Sequence, residues 1–133
     1  MKRQINVGDK ANSFFTYTTA LVEQFSSISK DVNPIHLDKE FAAKTLFEKP
    51  IVHGIFVSGQ ISALIANELP GPGSIYLYQD LNFLAPVYHD DTINCIVEVV
   101  EKKEEKNILI LKTICQNQNG KNVIEGKAVI KLV

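Results

Sequence analysis

Cysteine is scarce in this chain: two among 133 residues, Cys95 and Cys115, too few for a disulfide framework. Each lies in a β-like apolar stretch, where a buried, inert thiol is expected. An excess of charge is also missing. Lys and Arg number 14 against 15 Asp and Glu, a formal net charge of -1, which is not the basic footprint of a nucleic-acid binder. The mixed-sign run from Glu101 to Lys106 reads as a solvated turn or strand end. No apolar run approaches the ~20 residues of a membrane span; the longest charge-free helical stretch is Ile55 to Asn67. The opening MKRQINVGDK lacks the apolar segment of a signal peptide, and the closing Lys131-Leu132-Val133 is not the Ser-Lys-Leu peroxisomal address. A reduced cytoplasmic setting is therefore expected. Internal repeats and low-complexity linkers are absent too, so one domain over residues 1–133 is expected.

What the chain does contain is ordinary globular material, 45% hydrophobic and 22% charged, enough to bury a core. After a short opening segment, Thr18 or Thr19 can cap a helix whose Leu21, Val22, Phe25 and Ile28 form one apolar stripe. Asp38 can cap a second, short helix with Phe41, Ala42 and Ala43. A third begins near His53-Gly54 and runs to Leu69, ended by Pro70-Gly71-Pro72-Gly73. Its apolar residues (Ile55, Phe56, Val57, Ile61, Leu64, Ile65) point in several directions, the pattern of a helix buried at a domain's centre. Beyond Gly73 the pattern is all strand: Ser74 to Val87, Thr92 to Val100, Ile108 to Gln116 and Val123 to Val133. Asn117, Asn119 and Gly120 supply hairpin turn chemistry between the last two. Consecutive strands with short turns favour an antiparallel sheet in an α+β domain. One long central helix wrapped by such a sheet describes the hot-dog architecture, and a two-layer α+β sandwich fits the same pattern.

The chemistry concentrates between Ser29 and Ser62. In Asp31-Val32-Asn33-Pro34-Ile35-His36, Pro34 removes a backbone donor and pushes Asn33 out of the helical region. The segment is expected to be a structured loop that turns Asp31 and His36 toward one point. A carboxylate and an imidazole aimed at one water suit a hydration or dehydration step. The same residues are also common turn formers, with Asp and Asn bonding nearby amides. Asp31, His36, Asp38 and His53 are potential metal ligands, but no recognised ligand spacing joins them and no metal is expected.

At His53-Gly54 the first amides of the third helix lack internal partners and carry partial positive charge. Glycine there lets a carbonyl oxygen approach closely, which suits stabilisation of an enolate. Gly54 could equally do no more than start the helix. Ser58 and Ser62 follow on the same stripe, as a pocket wall or as close packing against the sheet. Ile65, a turn beyond Ser62, is a candidate for the far wall of an acyl pocket or plain core. His89, before Asp90-Asp91 in a turn, is assigned no role.

The compound run D-x-N-P-x-H-x-D, then F-A-A, F-E-K-P-I-V-H-G, I-S-A-L-I and L-P-G-x-G-S-I-Y, resembles the (R)-specific enoyl-CoA hydratases. These are small members of the MaoC-like hydratase family that feed polyhydroxyalkanoate synthesis. The resemblance spans nearly the whole chain and is densest from Asp31 to Phe83. It implies a hot-dog homodimer that hydrates trans-2-enoyl-CoA to (R)-3-hydroxyacyl-CoA without metal or redox cofactor. It matches Asp31 and His36 to the catalytic pair, Gly54 to the amide that binds the thioester carbonyl, and Ser62 to a serine bordering the site. Asn33 matches a motif residue that shapes the loop, and His53 is grouped with the pocket. Lys30 departs from the family pattern, standing where many relatives carry glycine.

Three rivals remain at this point. A 3-hydroxyacyl-carrier-protein dehydratase runs the same chemistry on another carrier. A hot-dog thioesterase would send its water to the carbonyl instead of C3. A non-catalytic acyl-CoA sensor would bind without turnover.

Overall fold

The structure is a computed structural model in which residues 4–133 are described, so Met1, Lys2 and Arg3 of the basic opening lie outside the described residues. In chain order the elements are β1 (Lys10–Thr16), α1 (Thr19–Ser29), α2 (Pro34–Leu37), α3 (Lys39–Ala43), α4 (Gly54–Asn67), β2 (Ser74–Gln79), β3 (Asn82–Phe83), β4 (Thr92–Lys103), β5 (Ile108–Gln116) and β6 (Asn122–Leu132). The strands form one antiparallel sheet ordered β1-β4-β5-β6-β2, with β3 also paired to β6. This is the expected α+β hot-dog arrangement, a curled sheet around one long helix.

Strict alternation builds the inner face. Ile93, Cys95, Val97 and Val99 of β4, with Leu109, Leu111 and Cys115 of β5, are all fully buried. Period-two patterning puts such residues on one side of a sheet. Cys95 lies directly across the ladder from Cys115, and both are free, buried thiols.

Helix α4 packs on this face through Val57, Ile61, Leu64 and Ile65. A buried polar clasp fixes its register. Gln60 Nε2 donates to the carbonyls of Ser13 (3.0 Å) and Ile93 (3.1 Å), while Tyr17 donates to Gln60 Oε1 (2.9 Å). Every strong group on that amide is thus partnered, which makes its burial tolerable. The expectation of a helix buried nearly all round needs correcting. Ile55 is 57% exposed, and Gly59, Ser62, Ala63 and Ala66 are exposed beside it.

Other departures have local causes. The opening segment contains β1, which pairs with β4 from Lys10↔Glu98 to Thr16↔Thr92. The single strand expected over residues 74–87 is broken into β2 and β3. At the break, Asp80 crosses so close to Gly126 that a Cβ there would lie 2.0 Å from its carbonyl oxygen. Thr18 is the cap of α1, accepting from the Leu21 amide at 3.3 Å. Of the expected stripe on that helix, Val22 is buried and Leu21 and Phe25 are half-buried, but Ile28 is 82% exposed, while Ser26 is buried instead. Asp38 caps α3 as expected, accepting from the Glu40 and Phe41 amides.

Candidate active site

Helix α1 ends on Lys30 in the left-handed conformation, with φ of 69°. That backbone state favours glycine and costs another residue ~1–2 kcal/mol, so lysine is tolerated here only with strain. Two side-chain turns follow. Asp31 Oδ1 accepts from the Asn33 amide at 3.3 Å, and Asn33 Oδ1 accepts from the Ile35 amide at 3.2 Å. The segment is not loop throughout, because Pro34 opens the single helical turn α2. At that first position its missing N–H breaks no helical bond and its fixed φ suits the turn. The turn carries His36 back beside Asp31.

His36 Nδ1 lies 2.9 Å from the Ile51 carbonyl oxygen. A carbonyl only accepts, so Nδ1 carries the proton and Nε2 is left for chemistry. Ile51 is itself fixed, donating to the Ile35 carbonyl at 3.1 Å and bridging to Tyr88.

Under His36 lies His53, the residue preceding α4, 2% exposed. The two rings stack with centroids 3.7 Å apart and planes at 27°. His53 Nε2 sits 3.1 Å from the Asp31 carbonyl and 3.0 Å from Ser26 Oγ, so Nε2 carries its proton. Burial pushes its pKa down, opposed in part by the Asp31 carbonyl hydrogen bond and assisted by the neighbouring His36. Burial thus favours the neutral form of His53 beneath the His36 ring. Its Nδ1 has no partner among the described residues.

One ligand atom from each of Asp31, His36 and His53 lies within 4.8 Å of the other two. For a metal the set is poorly arranged. Stacked imidazoles direct their in-plane lone pairs side by side, whereas zinc needs them converging tetrahedrally.

No hydrogen bond engages the Gly54 amide among the described residues, and His53 supplies no side-chain cap. A free donor at a helix N-terminus favours developing negative charge. Glycine also leaves room for Phe83, since a Cβ would lie 2.6 Å from two carbons of that ring and force the exposed side chain to move. Beside it opens an apolar cavity of about 300 Å³ lined by Ile51, Gly54, Phe83, Leu84, Val87 and Ile124 among others.

Asp31, Asn33, His36, His53 and Gly54 thus come together. Ser62 and Ile65 do not join them. They lie eight and eleven residues along α4, ~12 and ~16 Å at 1.5 Å per residue. Ser62 is exposed and Ile65, 2% exposed, belongs to the core cluster. Ile65→Ala is therefore expected to cost about 2–5 kcal/mol in chemical denaturation, with an unchanged acyl-length profile. A changed profile at unchanged stability would place Ile65 in a pocket instead.

Three contributors had no sequence signal: the Ile51 carbonyl, Ser26 and His89. His89 Nε2 lies 2.9 Å from the His36 carbonyl oxygen. Each acts through a backbone atom or through a residue distant in the chain.

The family model described as "MaoC like domain" matches residues 5–119. The chain is 43% identical over 130 residues to an (R)-specific enoyl-CoA hydratase of Aeromonas caviae, covering 98% of this chain and 97% of that one. It is 35% identical to a mitochondrial 3-hydroxyacyl-[acyl-carrier-protein] dehydratase of Arabidopsis thaliana, covering 96% and 77%. Among solved structures, the (R)-hydratase from A. caviae involved in PHA biosynthesis superposes with a TM-score of 0.95 at 43% identity, covering 98% and 99%.

Proposed function

The chain belongs to the MaoC-like domain family, and from that premise we propose that it reversibly hydrates trans-2-enoyl-CoA to (R)-3-hydroxyacyl-CoA. It is a hydro-lyase in this reading. The observation that carries it is the approach of Asp31 and His36, a carboxylate oxygen and an imidazole nitrogen of which lie within 4.8 Å of each other. Two hydrogen bonds of ~2.8 Å let one water span that distance.

Water held between the pair adds its oxygen to C3 and gives a proton to Asp31. His36, entering as imidazolium, delivers its Nε2 proton to C2 from the same face. Proton passage from Asp31 to His36 Nε2 then resets the pair. Negative charge on the thioester oxygen meets the open Gly54 amide. The Nδ1 bond to Ile51 confines exchange to Nε2 throughout. No metal or redox cofactor enters these steps. Asn33 shapes the loop that presents Asp31, and Ser62 would border the path of the substrate.

Enoyl absorbance and free thiol measured together test this reading. Loss of absorbance without thiol release is the hydration outcome; thiol release would replace it with a thioesterase. Because the Arabidopsis relative is named for carrier-bound substrates, the alternative carrier is checked by comparing kcat/KM for crotonyl-CoA and a crotonyl carrier protein. A preference for the carrier would make the protein an acyl-carrier-protein dehydratase.

Residues 1–133 are proposed to act as one domain, supported by a continuous core cluster reaching from Ile5 to Ile130. No described helix is long and apolar enough to cross a membrane, and a cytoplasmic role supplying 3-hydroxyacyl-CoA for polyhydroxyalkanoate synthesis is proposed. No nucleic-acid partner is invoked.

A homodimer is proposed on the exposed strand β2. It ends the sheet path, and its Ile75, Tyr76, Leu77 and Tyr78 are each more than one-third exposed. An apolar edge of this kind invites pairing with another chain. Light scattering is expected to give twice the 14.8 kDa chain mass, and Leu77→Asp is expected to give the monomer. A wild-type monomer would remove the dimer.

A further inference from the structure

We infer that His89 is a positioning residue for His36, an inference that rests on the acid–base role proposed for that pair. His89 stands in the segment between β3 and β4, 53 residues after His36 in sequence. Its Nε2 must be the donor to the His36 carbonyl at 2.9 Å, because that oxygen can only accept. Its Nδ1 lies 3.0 Å from Thr19 Oγ1, whose hydroxyl can supply the matching proton. One imidazole thus joins the start of α1, the catalytic turn α2 and the segment leading into β4.

The acceptor matters. α2 is a single turn, too short for the His36 carbonyl to find a partner within it, so a donor must come from elsewhere. His89 supplies that donor and fixes the backbone that carries the imidazole.

Its neighbour completes the clamp. Tyr88 bridges to Ile51, whose carbonyl holds the His36 ring, and the Tyr88 hydroxyl donates to the Phe47 carbonyl at 3.0 Å. Tyr88 and His89 therefore control the ring and the backbone of His36 from one short segment. That segment is rigid itself. The Tyr88 amide donates to Asp91 Oδ2 at 2.8 Å, and the Asp90 amide donates to the Tyr17 carbonyl at 2.7 Å. A misplacement of even an ångström at a reacting group can cost up to ~10² in rate, which makes such a clamp consequential.

The test compares His89→Ala with His89→Gln, whose side-chain amide can still donate to the His36 carbonyl. For crotonyl-CoA, His89→Ala is expected to lower kcat about tenfold with KM within about twofold, and His89→Gln to restore kcat to within about threefold of wild type. Imidazole ¹H–¹⁵N spectra give a readout independent of turnover. The His36 Nδ1–H signal should be protected in wild type and His89→Gln, and exchange faster in His89→Ala. Unchanged kcat and an unchanged His36 signal in His89→Ala would overturn the inference. So would equal losses in Ala and Gln variants. If wild type does not hydrate crotonyl-CoA at all, the proposed reaction fails, while the His36 signal still decides the positioning of that ring by His89.

Discussion

Asp31→Asn and His36→Gln should each lower turnover of crotonyl-CoA by at least ~10², with thermal unfolding close to that of wild type. Both expectations follow from where the side chains stand. The Asp31 carboxylate is exposed and, among the described residues, makes only a local turn bond to the Asn33 amide, a bond that the side-chain oxygen of an introduced asparagine can still accept. Its contribution to stability is correspondingly small, yet asparagine cannot take the proton of the attacking water. His36→Gln keeps a polar side chain able to donate toward the Ile51 carbonyl but removes the Nε2 proposed to deliver the proton. General acid or base help is worth ~10²–10⁴ for a positioned group, and the two act in one step, so the double variant should fall little below the worse single one. Steady-state kinetics beside a thermal melt separates the cases. A variant that melts normally and turns over at the wild-type rate would remove that residue from the chemistry.

A large effect on stability is also expected at Gly126. A Cβ built there meets the Asp80 carbonyl oxygen at 2.0 Å and its carbon at 2.9 Å. Both are backbone atoms, so no rotamer change can relieve the clash. The surrounding bonds hold Asp80 in place, because its amide donates to the Lys127 carbonyl at 3.0 Å and its Oδ1 accepts from the Lys127 amide at 2.7 Å. Alanine must push the β2–β3 connection away from β6 and break this pair. A cost of about 3 kcal/mol is expected, lowering Tm by ~10 °C for a chain of this size. An unchanged melt would mean that the strand break at Asp80 is looser than described.

The three long C-terminal strands, the bounds of α4 and the caps at Thr18 and Asp38 were legible because each carries a strong local signal. Alternation in β4 is nearly perfect, and a capping oxygen sits within three residues of the amides it serves. β1 was not legible, since its large apolar residues, Phe14 and Phe15, are adjacent and both exposed, and the half-buried positions alternating before them are the small Ala11 and Ser13. Its existence depends on pairing with β4, far along the chain. The turn α2 is too short for any periodicity, so Pro34 reads as a breaker although it acts as an initiator.

Within the site, Asp31, His36 and Gly54 could be singled out because their residue types and spacing carry chemical meaning. The parts that hold them could not. His36 is fixed by the carbonyl of Ile51 and by His89, and the acceptor atoms there are backbone oxygens that every residue possesses. The stacking of His53 on His36 is likewise a product of the fold. For Ile65 helical spacing leaves pocket wall and core both open, and α4 turns it into the core cluster.

The most direct test of hydration by this pair is the loss of enoyl absorbance on mixing the purified protein with crotonyl-CoA, followed by chiral analysis of the product. Rapid loss with (R)-3-hydroxybutyryl-CoA as the sole product is expected. The (S) product would contradict the geometry assigned to Asp31, His36 and Gly54, and no conversion of crotonyl-CoA, longer enoyl-CoAs or carrier-bound enoyl groups would contradict hydration itself.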